Sequence, residues 1–167
     1  LEHCVLCGSR KFPIKNIILE SFKGSLSNFA NAITFPDKTM YIMSSKNDID
    51  FLNLIDIYLD MVFYPRLYNT PEILMQEGGH YHLEDKFDKL SYKGIVYNEM
   101  RNVFSTPKNI LFRQIRKSLL IDTIYANESG GYPESIMQVT QKQLINYHKK
   151  YYQPNNCYIF LYGNGDI

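Results

Sequence analysis

Glu2 and His3 are neighbours at the start of the chain, and Glu99 follows 96 positions after His3 (99 − 3 = 96). An imidazole and carboxylates can ligate a divalent metal or move protons, provided the fold brings them together. An acidic residue beside a histidine is common by chance, so the pair by itself specifies nothing. Cys4-x-x-Cys7, next to His3, offers two thiolate ligands. A structural zinc site needs four ligands, and Cys157 and His148 do not supply a second pair at useful spacing. The two cysteines therefore fit better as small apolar side chains at a helix end. His80 and His82 fall on one side of a predicted strand and suit a solvated strand face. No Ser or Cys lies in a recognisable nucleophile motif.

These residues must be positioned by helices and short strands. The segment up to Cys7 reads as a helix end closed by Gly8, with a polar loop from Ser9 to Pro13. Ile14 to Lys23 reads as an amphipathic helix, with Ile14, Ile18 and Phe22 at helical spacing. Asn28 to Phe35 and Thr39 to Ser44 are rich in β-branched and aromatic residues. Pro36-Asp37-Lys38 joins them with turn chemistry, giving a β-hairpin. Asn47 caps a helix whose Phe51, Ile55, Tyr58 and Val62 recur at helical spacing until Pro65 stops it. Pro71 to Gln76 is another helix, ended by Gly78-Gly79, and His80 to Leu83 a strand before the charged loop Glu84 to Lys89. Helices are expected from Ser91 to Phe104 and from Pro107 to Leu120, packed as a pair. A Gly-rich loop spans Asn127 to Pro133, Thr140 begins a helix through Tyr151, and Cys157 to Tyr162 reads as a final strand. Interspersed hairpins and helices predict an α+β fold, mainly an antiparallel sheet covered by helices on one side.

Composition narrows the function classes. At 167 residues the chain suits a single domain spanning 1–167. Eighteen Lys and Arg nearly balance seventeen Asp and Glu, with no basic block to neutralise phosphates, so no nucleic acid partner is expected. The most apolar run, Leu52 to Phe63, is interrupted by Asp56 and Asp60, so no membrane partner is expected either. Three cysteines are too few for a disulfide framework, which favours a reducing compartment such as a bacterial cytoplasm or a eukaryotic organelle matrix. Opening on Leu1 rather than Met, the chain is expected to be a piece of a longer protein, with any targeting segment outside it.

The run Leu1-Glu2-His3-Cys4-Val5-Leu6-Cys7-Gly8-Ser9-Arg10-Lys11-Phe12-Pro13 gives the acidic-His pair its context. It resembles the stretch after the first histidine of the His-x-x-Glu-His motif in insulinase-like (pitrilysin-type, inverted zincin) metallopeptidases, in particular the presequence protease and falcilysin branch. The resemblance continues in order through Lys23-Gly24-Ser25-Leu26, Asn31-Ala32, Phe35-Pro36-Asp37-Lys38-Thr39 and Asp56-Ile57-Tyr58-Leu59-Asp60. Gln76-Glu77-Gly78, Tyr92-Lys93-Gly94, Asn98-Glu99-Met100, Ser129-Gly130-Gly131 and His148-Lys149-Lys150-Tyr151-Tyr152 complete it. It covers essentially the whole chain.

The resemblance implies a zinc-dependent metalloendopeptidase domain acting on unstructured peptides. Two histidines four apart turn about 400° along a helix and so face the same way; one would be His3 and the other would lie two residues before Leu1. Glu2 would be the general base for the metal-activated water, and His3 and Glu99 would ligate Zn2+. On a helix from Ser91, Glu99 has Tyr92, Ile95, Val96 and Val103 as neighbours, so its carboxylate is expected to project from a mainly apolar face. A zinc ion would compensate for burying it there; the alternative is a rim glutamate reaching water. Asn31, Ala32 and Ile33 match the family's edge strand, to which a substrate peptide adds as an extra strand. The remaining domains of a four-domain parent would be partners, with this chain most of the zinc-bearing first domain and inactive alone.

Two departures concern loop shape: Gly79 stands where the branch often has an aromatic, and Tyr41-Ile42 where Tyr-Pro is common. The rival reading is a non-catalytic structural or chaperone-like relative of the same fold.

Overall fold

Gly8 is the first point at which one residue type decides the path of the chain. Its φ is +96°, and a side-chain carbon there would lie 2.8 Å from the Ile14 carbonyl oxygen, so only glycine turns the chain here. The computed structural model describes residues 1–25 and 28–164 and shows an α+β architecture. Helix α1 (Glu2–Val5) ends just before this turn, and the loop after it folds onto the end of the long helix α3 (Asp48–Phe63). Arg10 N–H donates to the Tyr64 carbonyl at 3.0 Å, and Lys11 N–H donates to the Asp60 carboxylate at 2.7 Å.

Helix α2 (Ile17–Phe22) begins three residues later than its apolar spacing predicts, because Ile14 to Asn16 are spent on the loop that wraps Gly8. Strands β1 (Asn28–Thr34) and β2 (Thr39–Ser45) form the expected antiparallel hairpin, in register from Asn28 opposite Ser45 to Thr34 opposite Thr39. The Asn47 side chain accepts from Asp50 N–H at 3.1 Å and caps α3 as read. The buried stripe of α3 is Leu54, Ile57, Tyr58 and Met61, rotated from the expected Phe51, Ile55, Tyr58 and Val62. A 3.6-residue repeat tolerates both stripes, and packing against β2 and α2 selects between them.

Helix α4 (Glu72–Glu77) runs to a glycine pair and strand β3 (His80–His82). Ser91 to Lys93, expected to be helical, instead form β4, antiparallel to β3 with Tyr81 opposite Tyr92. Pairing satisfies their backbone polar groups and delays helix α5 (Ile95–Ser105) to the far side of Gly94. A side-chain carbon at Gly94 would lie 2.6 Å from Gly79 Cα, so this close backbone crossing admits only glycine. Helices α6 (Pro107–Leu119), α7 (Pro133–Ile136) and α8 (Gln141–Tyr151) follow, α8 opened by a reciprocal cap between Thr140 and Gln143.

The core gathers Cys4, Val5, Cys7, Ile17, Ile57, Tyr58, Met61, Leu67, Ile73 and Leu144, each large side chain contributing about 1.5–3 kcal/mol by burial. Both cysteines of the Cys-x-x-Cys pair are therefore buried free thiols, as small apolar side chains. Sheets are smaller than expected: the hairpins β1-β2 and β3-β4 are separate two-stranded units. The strand expected at Cys157 to Tyr162 is not formed; Cys157 is extended, but among the described residues nothing pairs with this stretch. Tyr158 and Tyr162 are fully open to solvent, and α6 buries no residue. The exposed surface is 11904 Å², against roughly 8,600 Å² for a compact chain of this mass. No helix among the described residues is long and apolar enough to cross a membrane.

Candidate metal centre

His3 is carried by α1, whose next residues Cys4 and Val5 are anchored in the core, so its imidazole is directed outward from a fixed base. Two other elements bring carboxylates to it. Glu99, on the second turn of α5, places Oε2 3.7 Å from His3 Nε2. Glu77, the last residue of α4, places Oε2 3.5 Å from Nδ1. The backbone crossing of Gly94 over Gly78-Gly79 ties the end of α4 to the start of α5, which is why both glutamates reach one imidazole.

The pair predicted from the sequence is thus brought together, but the buried glutamate is the other one. Glu99 has 57% of its side-chain surface exposed, whereas Glu77 has 8%. The expected apolar setting of Glu99 rested on a helix beginning at Ser91; since 91–93 form β4, Tyr92 lies off the helix, and Met100 is the buried residue of α5. Glu77 lies inside the quoted Gln76-Glu77-Gly78 stretch, yet its only sequence signal was adjacency to a glycine pair.

Electrostatics follow this geometry. Hydrogen bonding to Glu77 holds His3 above its ordinary pKa, against the opposing effect of burial, with Glu2 and Glu99 adding to the rise. Burial pushes the Glu77 carboxyl up, but the His3 and Cys7 contacts outweigh it and hold the group below its usual range. Burial and the nearby Glu77 carboxylate push the Cys7 thiol up to about 12, so it is a neutral thiol, and it donates to the His3 carbonyl at 3.5 Å. Gln76 Nε2 donates to the other Glu77 oxygen at 2.8 Å.

Glu2 sits on the same short helix but faces β1, where the Thr34 hydroxyl donates to its carboxylate. Thr34 Oγ1 is 3.5 Å from Thr39 Oγ1 across the hairpin. Tyr41 and Tyr152 hydroxyls meet at 3.0 Å nearby, joining β2 to α8. On β1, Asn31 and Ile33 point outward and Ala32 inward, and with two strands only, β1 has an open edge. The Ala32 N–H is occupied locally by Asn31 Oδ1 at 2.9 Å.

Whether these residues suit a metal ion can be asked of the gap between Nε2 and Oε2. At 3.7 Å it is too long for a direct hydrogen bond, yet below twice a zinc–ligand bond of about 2.0–2.1 Å, so one ion can touch both atoms. Among the described residues no three His, Cys, Asp or Glu side chains are grouped to hold a metal, so His3 and Glu99 form a two-ligand set.

For this α+β fold, with His3 between glutamates from two later helices, the class follows from similarity: along its whole length the chain resembles the insulinase-like (pitrilysin-type) peptidases. It is 55% identical to Protein HypA of Clostridium perfringens, 46% identical to Presequence protease 1, chloroplastic/mitochondrial, of Arabidopsis thaliana and 41% identical to the mitochondrial presequence protease of Drosophila melanogaster. Those alignments cover 98–99% of this chain but only 15–17% of the relatives' lengths. The crystal structure of pitrilysin shares the fold with a TM-score of 0.66 at 19% identity, over 92% of this chain and 15% of that one. Residues 138–167 match the family described as the Peptidase M16 inactive domain, a stretch that contains none of Glu2, His3 and Glu99.

Proposed function

We propose that this chain is the zinc-bearing part of a metalloendopeptidase that hydrolyses unstructured peptides. The observation that carries the reading is the 3.7 Å approach of Glu99 Oε2 to His3 Nε2 from an element 96 residues away (99 − 3 = 96). His3 and Glu99 would hold Zn2+ from this chain. A bound zinc ion supplies Lewis acidity, polarising the scissile carbonyl and lowering the pKa of an attacking water to about 7. Glu2, one residue before His3 and fixed by the Thr34 hydroxyl, would serve as the general base, taking a proton from an attacking water at its carboxylate and passing it to the leaving amine. Glu77 holds the His3 ring by its Nδ1 edge, leaving Nε2 for the metal.

Asn31, Ala32 and Ile33 support substrate binding by strand addition, because β1 keeps an open edge. The side-chain oxygen of Asn31 would have to release the Ala32 N–H for a peptide to pair there. Such pairing selects extended peptides, since a folded protein does not offer a free strand.

The rest of a larger parent is the proposed partner. The surplus of about 3,300 Å² over a compact chain, which includes exposed apolar side chains on α6 and at 158–162, is surface suited to burial against further domains. Cleavage is accordingly expected of the parent, with little or none from this chain alone.

The match of residues 138–167 to an inactive domain favours a second reading, a non-catalytic relative that keeps the fold for structure. One experiment separates the two. In the full-length parent, Glu2→Gln should abolish cleavage of a fluorogenic unstructured peptide while bound zinc stays stoichiometric, and Glu99→Gln should remove the zinc. Cleavage unchanged in Glu2→Gln, or absent from the unaltered parent, would sink the catalytic reading.

A further inference from the structure

The hairpin β3-β4 carries a second group of ligating side chains that the centre above does not use. His80 and His82 lie on the same side of β3 by the strand period of two, and Glu84 follows two residues past its end. Lys93 stands directly opposite His80 on β4 and shares that face. The two imidazole rings have their centroids 5.9 Å apart.

The tautomer of His80 is set by its backbone partner. His80 Nδ1 lies 2.8 Å from the Met75 carbonyl, which can only accept, so Nδ1 carries the proton and the lone pair of the neutral ring is on Nε2. A backbone carbonyl on one imidazole nitrogen is the arrangement that orients a metal-ligating histidine through the other. His82 Nε2 lies 2.7 Å from Glu84 Oε2 and 2.9 Å from Lys93 Nζ, and Lys93 Nζ lies 2.8 Å from the same Glu84 oxygen. One ring nitrogen cannot donate to the carboxylate and accept from the ammonium together. The Lys93 ammonium donates to the Glu84 carboxylate and stands beside the His82 nitrogen, a cation placed between the two groups. The His82 nitrogen and the Glu84 oxygen, 2.7 Å apart in a hydrogen bond, would have to move apart by some tenths of an ångström to share one metal ion with bonds of about 2.0–2.2 Å.

We infer that His80, His82 and Glu84 form a site for a borderline divalent ion such as Zn2+, which Lys93 occupies with its ammonium until a metal displaces it. The three ligands do not yet close on one point. Closure needs only side-chain rotation at the surface, where Glu84 is 72% and Lys93 48% exposed. Imidazole and carboxylate donors suit zinc, nickel and copper over magnesium or calcium. The inference does not depend on the zinc centre at His3 and shares no residue with it.

The test uses this chain stripped of metal and carrying His3→Gln and Glu99→Gln, titrated with Zn2+ alone by calorimetry, with circular dichroism checking the fold of every variant. One equivalent should bind. It should be lost when His80→Gln and His82→Gln are added, weakened about tenfold by Glu84→Gln, and tightened about tenfold by Lys93→Met, since the competing cation is gone. No uptake by the His3→Gln/Glu99→Gln chain, or uptake that survives loss of both hairpin histidines, overturns the inference. Unchanged affinity in Lys93→Met overturns the displacement step. Failure of the other centre reads out separately: an unaltered chain that binds a single equivalent, lost with His80 and His82, tells against zinc at His3 and leaves the hairpin site standing.

Discussion

Glu77 Oε2 faces His3 Nδ1 at 3.5 Å, on the ring edge opposite the one that Glu99 approaches. A carboxylate on the far nitrogen fixes the ring's tautomer and orientation and raises its basicity as a ligand. Replacing Glu77 with Gln should therefore weaken zinc binding by about 10–100-fold while Glu99 stays in place. Calorimetric titration of the metal-stripped chain measures this, and an unchanged affinity would mean that Glu77 serves packing alone.

Thr34 and Glu2 make a second test. The Thr34 hydroxyl donates to the Glu2 carboxylate across the α1-β1 junction. Thr34→Val keeps the shape and removes the donor, and should cost about 0.5–1.5 kcal/mol in urea unfolding. Thr34→Ser should restore most of it. A loss in Thr34→Ser with none in Thr34→Val would assign the effect to the methyl group.

Asp60 ties the loop after α1 to α3, through Lys11 N–H at 2.7 Å and Arg10 Nη2 at 3.2 Å. Burial raises this carboxyl, but the Lys11, Ser9 and Arg10 contacts outweigh it and hold the group below its usual pKa. A carboxyl lowered by folding stabilises the fold above its unfolded pKa, about 3.9, and that contribution is lost as pH falls through the lower folded value. Asp60→Asn should cost about 1–3 kcal/mol at neutral pH and flatten the acid limb below about pH 4. Chemical denaturation from pH 7 to pH 3 reads both; an acid limb unchanged in the variant would exclude Asp60 as its source.

His148 gives the opposite case of a histidine that folds neutral. It is 2% exposed; Nε2 donates to the Val62 carbonyl at 2.8 Å, leaving Nδ1 to accept from the Tyr68 hydroxyl at 2.8 Å. Burial lowers its pKa, against the Val62 contact. Between the lowered folded value and the ordinary value of 6.5, the unfolded chain binds more protons, so stability rises with pH across that window. His148 should lower the unfolding free energy from pH 7.5 to pH 5.5, against the opposite contribution of His3, and the difference between the unaltered chain and His148→Gln should carry that slope. A difference that does not vary with pH would place its origin elsewhere.

Local signals in the chain were enough for the hairpin Asn28–Thr34 and Thr39–Ser45 and for helix α3 with its Asn47 cap. These depend on turn chemistry, capping and apolar spacing, all written within a few residues of each other. Ser91 to Lys93 carried an equally local helix signal and became a strand, because the edge of β3 lay within reach. Residues 157–162 show the converse: strand-forming side chains without a partner among the described residues form no strand.

At the candidate metal centre, the types and order of Glu2, His3 and Glu99, and the stretches around them, pointed to the family and to the proposed zinc chemistry before any coordinate. Tertiary structure alone decided that Glu77 is the buried carboxylate on His3, that Glu99 reaches it from an exposed turn, and that Lys93 sits as a cation among His82 and Glu84. The physical reason is range. Residue type and spacing act through neighbours a turn or a strand apart, whereas the burial of a carboxylate and the partner of a charge depend on which distant backbone packs beside it, here the crossing of Gly94 over Gly78 and Gly79.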